Sequence, residues 1–390
     1  MKHYIKLGII SFIAIFIHGY QFAVSDQEIF IPYVLKSANS SLFPGDALFN
    51  QSSAHLSLFY HSFGFLIKFV DIQIVFFVGY LVFQFAFFAG IYRLSKTLLK
   101  NEHLAYFSLL PFLLPKFIGG TATQTFDLFF GYRSVGLIFF IFYLSYLFEK
   151  KYLKSLILAF LGFFFHPLSI IPSAMFLPAI FLMNSKSKVR DGLKIISVAI
   201  FLLTLTYLVL GKNFFDSLFI KDEDWYSIIR LRDSYVFMSK WQLHGWAAFF
   251  LYPILVYLLY SRMVKRIKKS IFIIVIVSLA SILINLILLD ILKFPSFAQL
   301  QLVRSIAPFA YIGLSLSPLL LVYNNKVLKY SGALAFLFLS LNLFYLFLIT
   351  IIIFSIGVFK IKDKKITRLP RYAFLLTCFL ITLIYVNLNF

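Results

Sequence analysis

Charge and cysteine are what this 390-residue chain has least of: 13% of its residues are charged, and Cys378 is its single cysteine. One cysteine forms no internal disulfide and no Cys-based zinc centre, which excludes disulfide-stapled scaffolds and zinc-finger architectures. Glycine-rich phosphate loops, a Walker lysine, a nucleophile elbow and a His-Glu-x-x-His helix are missing too, so ATP hydrolysis and the common hydrolase mechanisms lack their signatures. There is no internal repeat to support the inverted halves of secondary transporters, and no low-complexity linker. What is abundant is apolar: 61% hydrophobic and 20% aromatic residues, a mixture foreign to soluble domains and to disordered or collagenous chains.

Those apolar residues come in runs of about 20, each long enough to cross a hydrocarbon layer roughly 30 Å thick as a helix. The pattern predicts an all-α fold, a single polytopic helix bundle over residues 1–390 with about 11–13 spans. The first run, Ile5 to Val24, follows Lys2 and Lys6 and is longer than a signal-peptide core, so it is expected to stay as the first span despite the small residues Ala23-Val24-Ser25. Further spans are expected near 72–92, 104–120, 134–148, 193–211, 245–261, 271–289, 306–323 and 372–390. Leu156 to Met183 has basic flanks on both sides and is broken by His166-Pro167, which predicts a helical hairpin with its break at the proline. Residues 331–359 are expected to form a second hairpin, broken at Ser340 to Asn342.

The net charge of +21 fits this threading. The short basic clusters between runs hold 25 basic and four acidic residues, and the remaining 11 and 11 cancel, so the whole excess falls on one side of the membrane. That places the N-terminus in the cytoplasm, reads the basicity as topology and leaves nucleic acid out as a partner. The short loops suit a bacterial inner membrane. Two outer loops, 25–71 and 212–244, are the only polar stretches long enough to build a site.

Candidate chemistry therefore sits at the outer helix ends, where an ionisable group costs a few kcal/mol unless it has a partner or a task. In Ser25-Asp26-Gln27-Glu28, Ser25 and Glu28 read as a capping box, while Asp26 at the membrane boundary suits a general base. Two residues apart on a helix, Asp26 and Glu28 diverge and do not form a carboxylate pair. Phe43-Pro44-Gly45-Asp46 reads as a turn, and His55 to Val70, with His55 and His61, as an interfacial helix whose histidines are misplaced for a shared metal. Gln124-Thr125-Phe126-Asp127 and Gly131-Tyr132-Arg133 bring in an arginine that either pairs with Asp127 or holds a phosphate. Arg304, after Gln301, repeats that logic, and His166 is either a hydrogen-bonded core residue or part of a site. The loop at 222–233 reads as a solvated face with local ion pairs.

With these residues placed, the N-terminal pattern resembles the GT-C superfamily of integral-membrane glycosyltransferases, in which an acidic motif opens a large first outer loop carrying surface-lying helices, here roughly 27–37 and 53–69. The chain is also similar to bacterial membrane proteins that share a Ser-Asp-Gln-like start, a His-Pro pair and a Gln-x-x-Arg entry, here Gln301-Leu302-Val303-Arg304. The overlap covers the first 70 residues or so and two short later motifs, without the soluble C-terminal domain of oligosaccharyltransferases. The resemblance implies transfer of a sugar from a polyprenyl-phosphate-linked donor to an outer-face glycan, lipid or protein acceptor. Asp26 would be the catalytic base, Glu28 the second acid, and Arg133 and Arg304 the donor-phosphate ligands. Asp46, His55, His61, Asp127, His166 and Gln301 would line the substrate. A divalent cation, magnesium or manganese on Asp26, is optional, since two arginines neutralise a phosphate without it. Two other readings use the same membrane frame: a lipid-linked-oligosaccharide flippase, and a glycan polymerase or ligase of another fold, neither of which needs the Asp26 carboxylate.

Overall fold

The computed structural model describes residues 2–47, 49, 57–193, 195–197 and 219–360. His55, Cys378, nearly all of the expected span at 193–211, the span at 372–390 and part of the loop 212–244 lie outside the described residues. What is described is almost entirely helical, with one two-stranded hairpin. Among the described residues five helices are long and apolar enough to cross a membrane: Ile72–Leu99, Pro167–Asn184, Leu243–Arg262, Lys265–Ile291 and Pro295–Leu321. Four shorter apolar helices accompany them, and together they mark the chain as a helical membrane protein.

The residues group into two compact units. The first holds the described parts of Met1–Lys116, Gln124–Ile170 and Tyr311–Lys362, the second those of Phe117–Thr123 and Ile171–Ala310. In the first unit, α1 (Lys2–His18) stops six residues short of the expected end of the first span. Gly19, at φ 79° with its amide bonded to the Ile15 carbonyl, supplies the left-handed residue that closes a helix. Next come two short helices, α2 (Gln27–Ala38) and α3 (Leu58–Leu66), at the positions expected of interfacial helices. They pack closely, a Cβ on Gly64 falling 2.8 Å from the Ser37 side chain. Between them the predicted turn forms, with Gly45 at φ 77° and the Asp46 amide on the Phe43 carbonyl at 3.4 Å.

The longest helix, α4 (Ile72–Leu99), starts on an Asp71 side chain that accepts the Gln73 amide at 2.8 Å, and ends at Lys100 with φ 55°. The expectation of a span over 104–120 fails. Only α5 (Glu102–Phe107) and a 3-10 turn at Leu110–Phe112 are helical there, followed by β1 (Phe117–Ile118) and β2 (Thr123–Gln124). Pro111 and Pro115 remove helical donors, and Gly119-Gly120 turns the chain. Its apolar side chains are buried in protein instead, with Phe112 and Leu109 almost fully covered, and hydropathy alone does not distinguish that burial from lipid.

Packed against α4 is α6 (Tyr132–Phe148), which in turn carries α7 (Tyr152–Phe165). The break expected at His166-Pro167 is present: His166 caps α7 in extended geometry and α8 (Pro167–Ile170) starts at the proline. The second expected break is present as well. Between α14 (Lys326–Ser340) and α15 (Phe344–Lys360), which pack on each other, Asn342 takes φ 62°.

The second unit contains α9 (Phe176–Asn184), α10 (Glu223–Arg232), α11 (Leu243–Leu259) and α12 (Lys265–Asn285), the last prolonged by a π-helical turn at Leu286–Ile291. The β1 hairpin lies against α11 so tightly that a Cβ on Gly119 would come 2.2 Å from the Phe249 amide nitrogen. The expected span at 306–323 appears as α13 (Ala307–Leu316), entered and left through 3-10 turns.

In the first unit Gly332 of α14 meets the 3-10 turn at Ser317–Leu321, and an added Cβ would fall 2.2 Å from the Leu320 carbonyl oxygen. Gly332→Ala is therefore expected to lower stability by about 1–3 kcal/mol. Gly8→Ala on α1, with nothing within 4 Å, serves as the control, expected to gain up to about 1 kcal/mol of helix propensity with no clash. Thermal unfolding of both variants in detergent reads the difference.

Candidate functional site

Asp26 begins the site. It is the N-cap of α2, exposed, with helical φ and ψ, and its carbonyl accepts the Ile29 and Phe30 amides at 3.1 Å. This corrects the expected capping box: Ser25 is not the cap but a left-handed residue at φ 54°, and the Asp26 side chain makes no capping bond. Glu28, one turn into α2, is exposed and, as the helical spacing requires, does not pair with Asp26. Ala23 at φ 56° joins Ser25 in the left-handed region, so the approach to Asp26 stores backbone strain.

The buried member of the motif is Gln27, fully covered, whose Nε2 donates to the Phe130 carbonyl at 2.9 Å. Six residues earlier the Gln21 amide donates to the Leu128 carbonyl at 2.9 Å. These two bonds lace the segment after α1 to the segment before α6. Phe30 and Tyr132 then meet at 4.3 Å between ring centroids, and Gly131 is needed because a Cβ would sit 3.1 Å from the Phe30 ring.

Tyr132 is where the distant motifs converge. Its ring also lies 6.1 Å from Tyr60 of α3 and 4.8 Å from His166. Tyr60 stacks on Tyr33 of α2 at 5.0 Å. Burial raises the Tyr60 phenol well above its ordinary range, and the neighbouring Tyr132, Tyr33 and Asp26 push the same way. His166 is almost fully buried, with Nδ1 2.6 Å from the Ser169 hydroxyl, and its Cβ lies where Gly136 of α6 leaves room for it. The Ser57 hydroxyl donates to the Phe165 carbonyl at 2.7 Å, fixing the start of α3 beside that break.

Arg133 pairs with Asp127: its Nε donates to Oδ2 at 2.6 Å, and an Nη2 contact to Oδ1 completes the fork. The ion pair expected of that arginine forms. His61 is exposed, its Nδ1 3.3 Å from the Ser37 hydroxyl, and Asp46 is exposed after its turn, so neither joins the Tyr132 cluster. Arg304 and Gln301 belong to the second unit. There Gln301, at φ 45°, donates from Nε2 to the Tyr235 hydroxyl at 2.8 Å, and the Arg304 guanidinium lies 5.7 Å from the Tyr235 ring. Burial raises the Tyr235 phenol, while Arg304 works against that rise. In the same unit Asp290 accepts the Met238 and Ser239 amides at 3.3 and 3.1 Å. No group of three or more His, Cys, Asp or Glu among the described residues is arranged to hold a metal ion.

No family model, curated protein or solved structure matches this chain.

Sequence reasoning missed Gln27 as the buried anchor, Tyr132, Tyr60 and Tyr33 as the wall around Asp26, Tyr235 as the partner of Arg304, and Lys116. Lys116 is 3% exposed, and its Nζ points to the Ser340 carbonyl at 3.4 Å, at the C-terminal end of α14. Beside it the Asn342 amide donates to the Pro115 carbonyl at 3.3 Å, so the tip of the α14–α15 hairpin docks here. A lone lysine after a proline in an apolar run was the available signal. Burial pushes the Lys116 ammonium down to about 7. A lysine lowered on folding penalises the folded state fully below that pH, and the penalty is relieved as pH climbs toward the ordinary value of 10.5. Thermal unfolding compared at pH 6 and pH 9 is thus expected to show the wild type gaining stability with pH, and Lys116→Met gaining less.

Breaking the Asp127–Arg133 pair tests the other buried charge. Asp127→Asn is expected to cost about 3–5 kcal/mol, because Arg133 loses its carboxylate in a mostly covered site. Unfolding midpoints of Asp127→Asn and of the Asp127→Leu, Arg133→Met double variant check it, the double variant recovering part of the loss.

Proposed function

We propose that the chain is a polytopic helix bundle of about 11–13 spans that transfers a sugar from a polyprenyl-phosphate-linked donor to an acceptor hydroxyl on the outer face of the membrane. The observation that carries this reading is the meeting at Tyr132 of Phe30, two residues beyond Ser25-Asp26-Gln27-Glu28, and of His166 from the His166-Pro167 break, with the exposed Asp26 carboxylate at the N-cap of the helix that carries Phe30. An aromatic wall suits the apolar face of a sugar ring, and an exposed carboxylate in a strained turn suits a general base.

Orientation follows from charge. Lys6, Arg93, Lys96, Lys100, Lys151 and Lys154 gather around Tyr92, Tyr106 and Tyr146 at the end of the first unit where α1 begins, whereas Asp26 follows the end where α1 stops. The positive-inside bias supports a cytoplasmic N-terminus, in a bacterial inner membrane, with Asp26 outside.

In the reaction Asp26 takes the proton of the acceptor hydroxyl. The acceptor oxygen bonds to the anomeric carbon as the bond from that carbon to the donor phosphate oxygen breaks, and the electron pair leaves with the lipid phosphate. A single displacement of this kind inverts the anomeric centre. Arg133 is assigned to the phosphate. Asp127, which holds the Arg133 fork, presets its direction and shares its charge with the incoming anion.

The test is the mass profile of surface glycans, glycolipids and glycoproteins in a strain deleted for the gene, complemented with wild type or with equally expressed Asp26→Asn. One sugar unit is expected to vanish on deletion and return with wild type only, with Asp26→Asn reduced by about 100-fold or more. Full restoration by Asp26→Asn removes the base and moves the flippase or ligase reading ahead.

A further inference from the structure

At the opposite end of the first unit from Asp26, separated from it by the length of α1, roughly 25 Å at 1.5 Å per residue, lies a cavity of about 740 Å³. Its volume falls in the range of small-molecule sites, roughly 300–1,000 Å³. It opens between the first turns of α1, the last turns of α4, the start of α5 and the end of α6. Nothing in the glycosyl-transfer reading uses it.

The lining is sorted by polarity. Leu7, Ala89 and Phe142 supply apolar wall, while Arg93, Lys96 and Lys100 supply cations. Two carboxylates also face it and set its balance. Glu149 is consumed: Arg93 Nη2 donates to both its oxygens at 2.8 and 2.9 Å, Thr97 donates at 3.2 Å, and Lys151 sits at 2.7 Å. Glu102 makes only a long contact to Lys96, at 3.6 Å between two half-exposed side chains. Lys100 has no partner among the described residues, and the buried Arg93 Nε has no acceptor. The cavity thus holds more donors than acceptors, next to apolar wall and to the exposed apolar side chains Tyr4 and Ile5 of α1.

We infer that this cavity binds an amphiphile whose phosphate head carries a net negative charge, the head between Lys96 and Lys100 and the chain leaving along Tyr4. Each lysine at a membrane surface raises the affinity for an anionic lipid about fivefold, so two of them act together by more than tenfold. The phosphate is the group recognised; it comes either on a lipid or on a soluble anion, and the sources differ in whether the apolar wall contributes.

The full chain in neutral detergent is titrated calorimetrically with dioctanoyl phosphatidylglycerol, with dioctanoyl phosphatidylcholine and with inorganic phosphate. Saturable binding of phosphatidylglycerol is expected, weakened about tenfold or more in Lys96→Gln, Lys100→Gln and unchanged in Lys265→Gln, Lys268→Gln, which removes an equal charge from the second unit. Lys96, Lys100 and Lys265 are exposed and Lys268 is half-buried, and equal unfolding midpoints verify that the variants fold. Inorganic phosphate that fails to displace the lipid at equal concentration assigns the site to the amphiphile, and phosphate that displaces it assigns the site to a soluble phosphate. Equal binding of the two lipids, equal binding by the Lys96, Lys100 variant and wild type, or no saturable binding of any probe overturns the proposal.

Discussion

A side-chain amide with no access to solvent must find a protein partner or cost the fold several kcal/mol, and Gln27 is such an amide. Its one bond, to the Phe130 carbonyl, ties the beginning of α2 to the beginning of α6 across more than 100 residues of chain. Everything at the candidate site depends on that tie. It sets Phe30 on Tyr132, Tyr132 beside Tyr60 and His166, and Asp26 at the open edge. The Gln21 to Leu128 backbone bond is its companion, and the left-handed residues Ala23 and Ser25 are the backbone cost of running the chain between the two.

The same logic explains why so many small residues sit at contacts in a chain dominated by large ones. Gly64 against Ser37, Gly131 against Phe30 and Gly136 against His166 each leave a space that a Cβ would fill. In an apolar environment helix association gains little from hydrophobicity and much from close approach, so such glycines position the aromatic wall as surely as the hydrogen bonds do. Lys116 is the counterpart among the charged residues, buried at the end of α14 where the α14–α15 hairpin turns.

Much of the helical layout was legible in the sequence because apolar run length and breaker residues report directly on local structure. The breaks at His166-Pro167 and at Ser340 to Asn342, the two short helices after α1 and the Pro44-Gly45 turn follow from proline, glycine and periodicity. The run at 104–120 was misread because its leucines and phenylalanines are as apolar as those of a span, while its prolines and glycines were outvoted by average hydropathy. At the site, the sequence pointed to Asp26, Asp127, Arg133 and His166 as individuals. Their arrangement was not legible, because the bonds that assemble it run to backbone carbonyls, Phe130 and Leu128, whose identity leaves no mark in the sequence. Tyr132 and Gln27 went unnoticed for a related reason: neither carries a charge, and charge was the signal being followed.

The constraint at the base of this account is most directly tested by a disulfide. In a Cys378→Ala background, Gln21→Cys and Leu128→Cys place two thiols on neighbouring backbones joined by a hydrogen bond of 2.9 Å. The account predicts rapid and nearly complete cross-linking under mild oxidant in intact membranes, and loss of that cross-linking when Gln27→Leu removes the side-chain tie. Absence of a cross-link in the otherwise unaltered chain, present in the membrane at the wild-type level, would contradict the joining of these two segments and with it the assembly of the site.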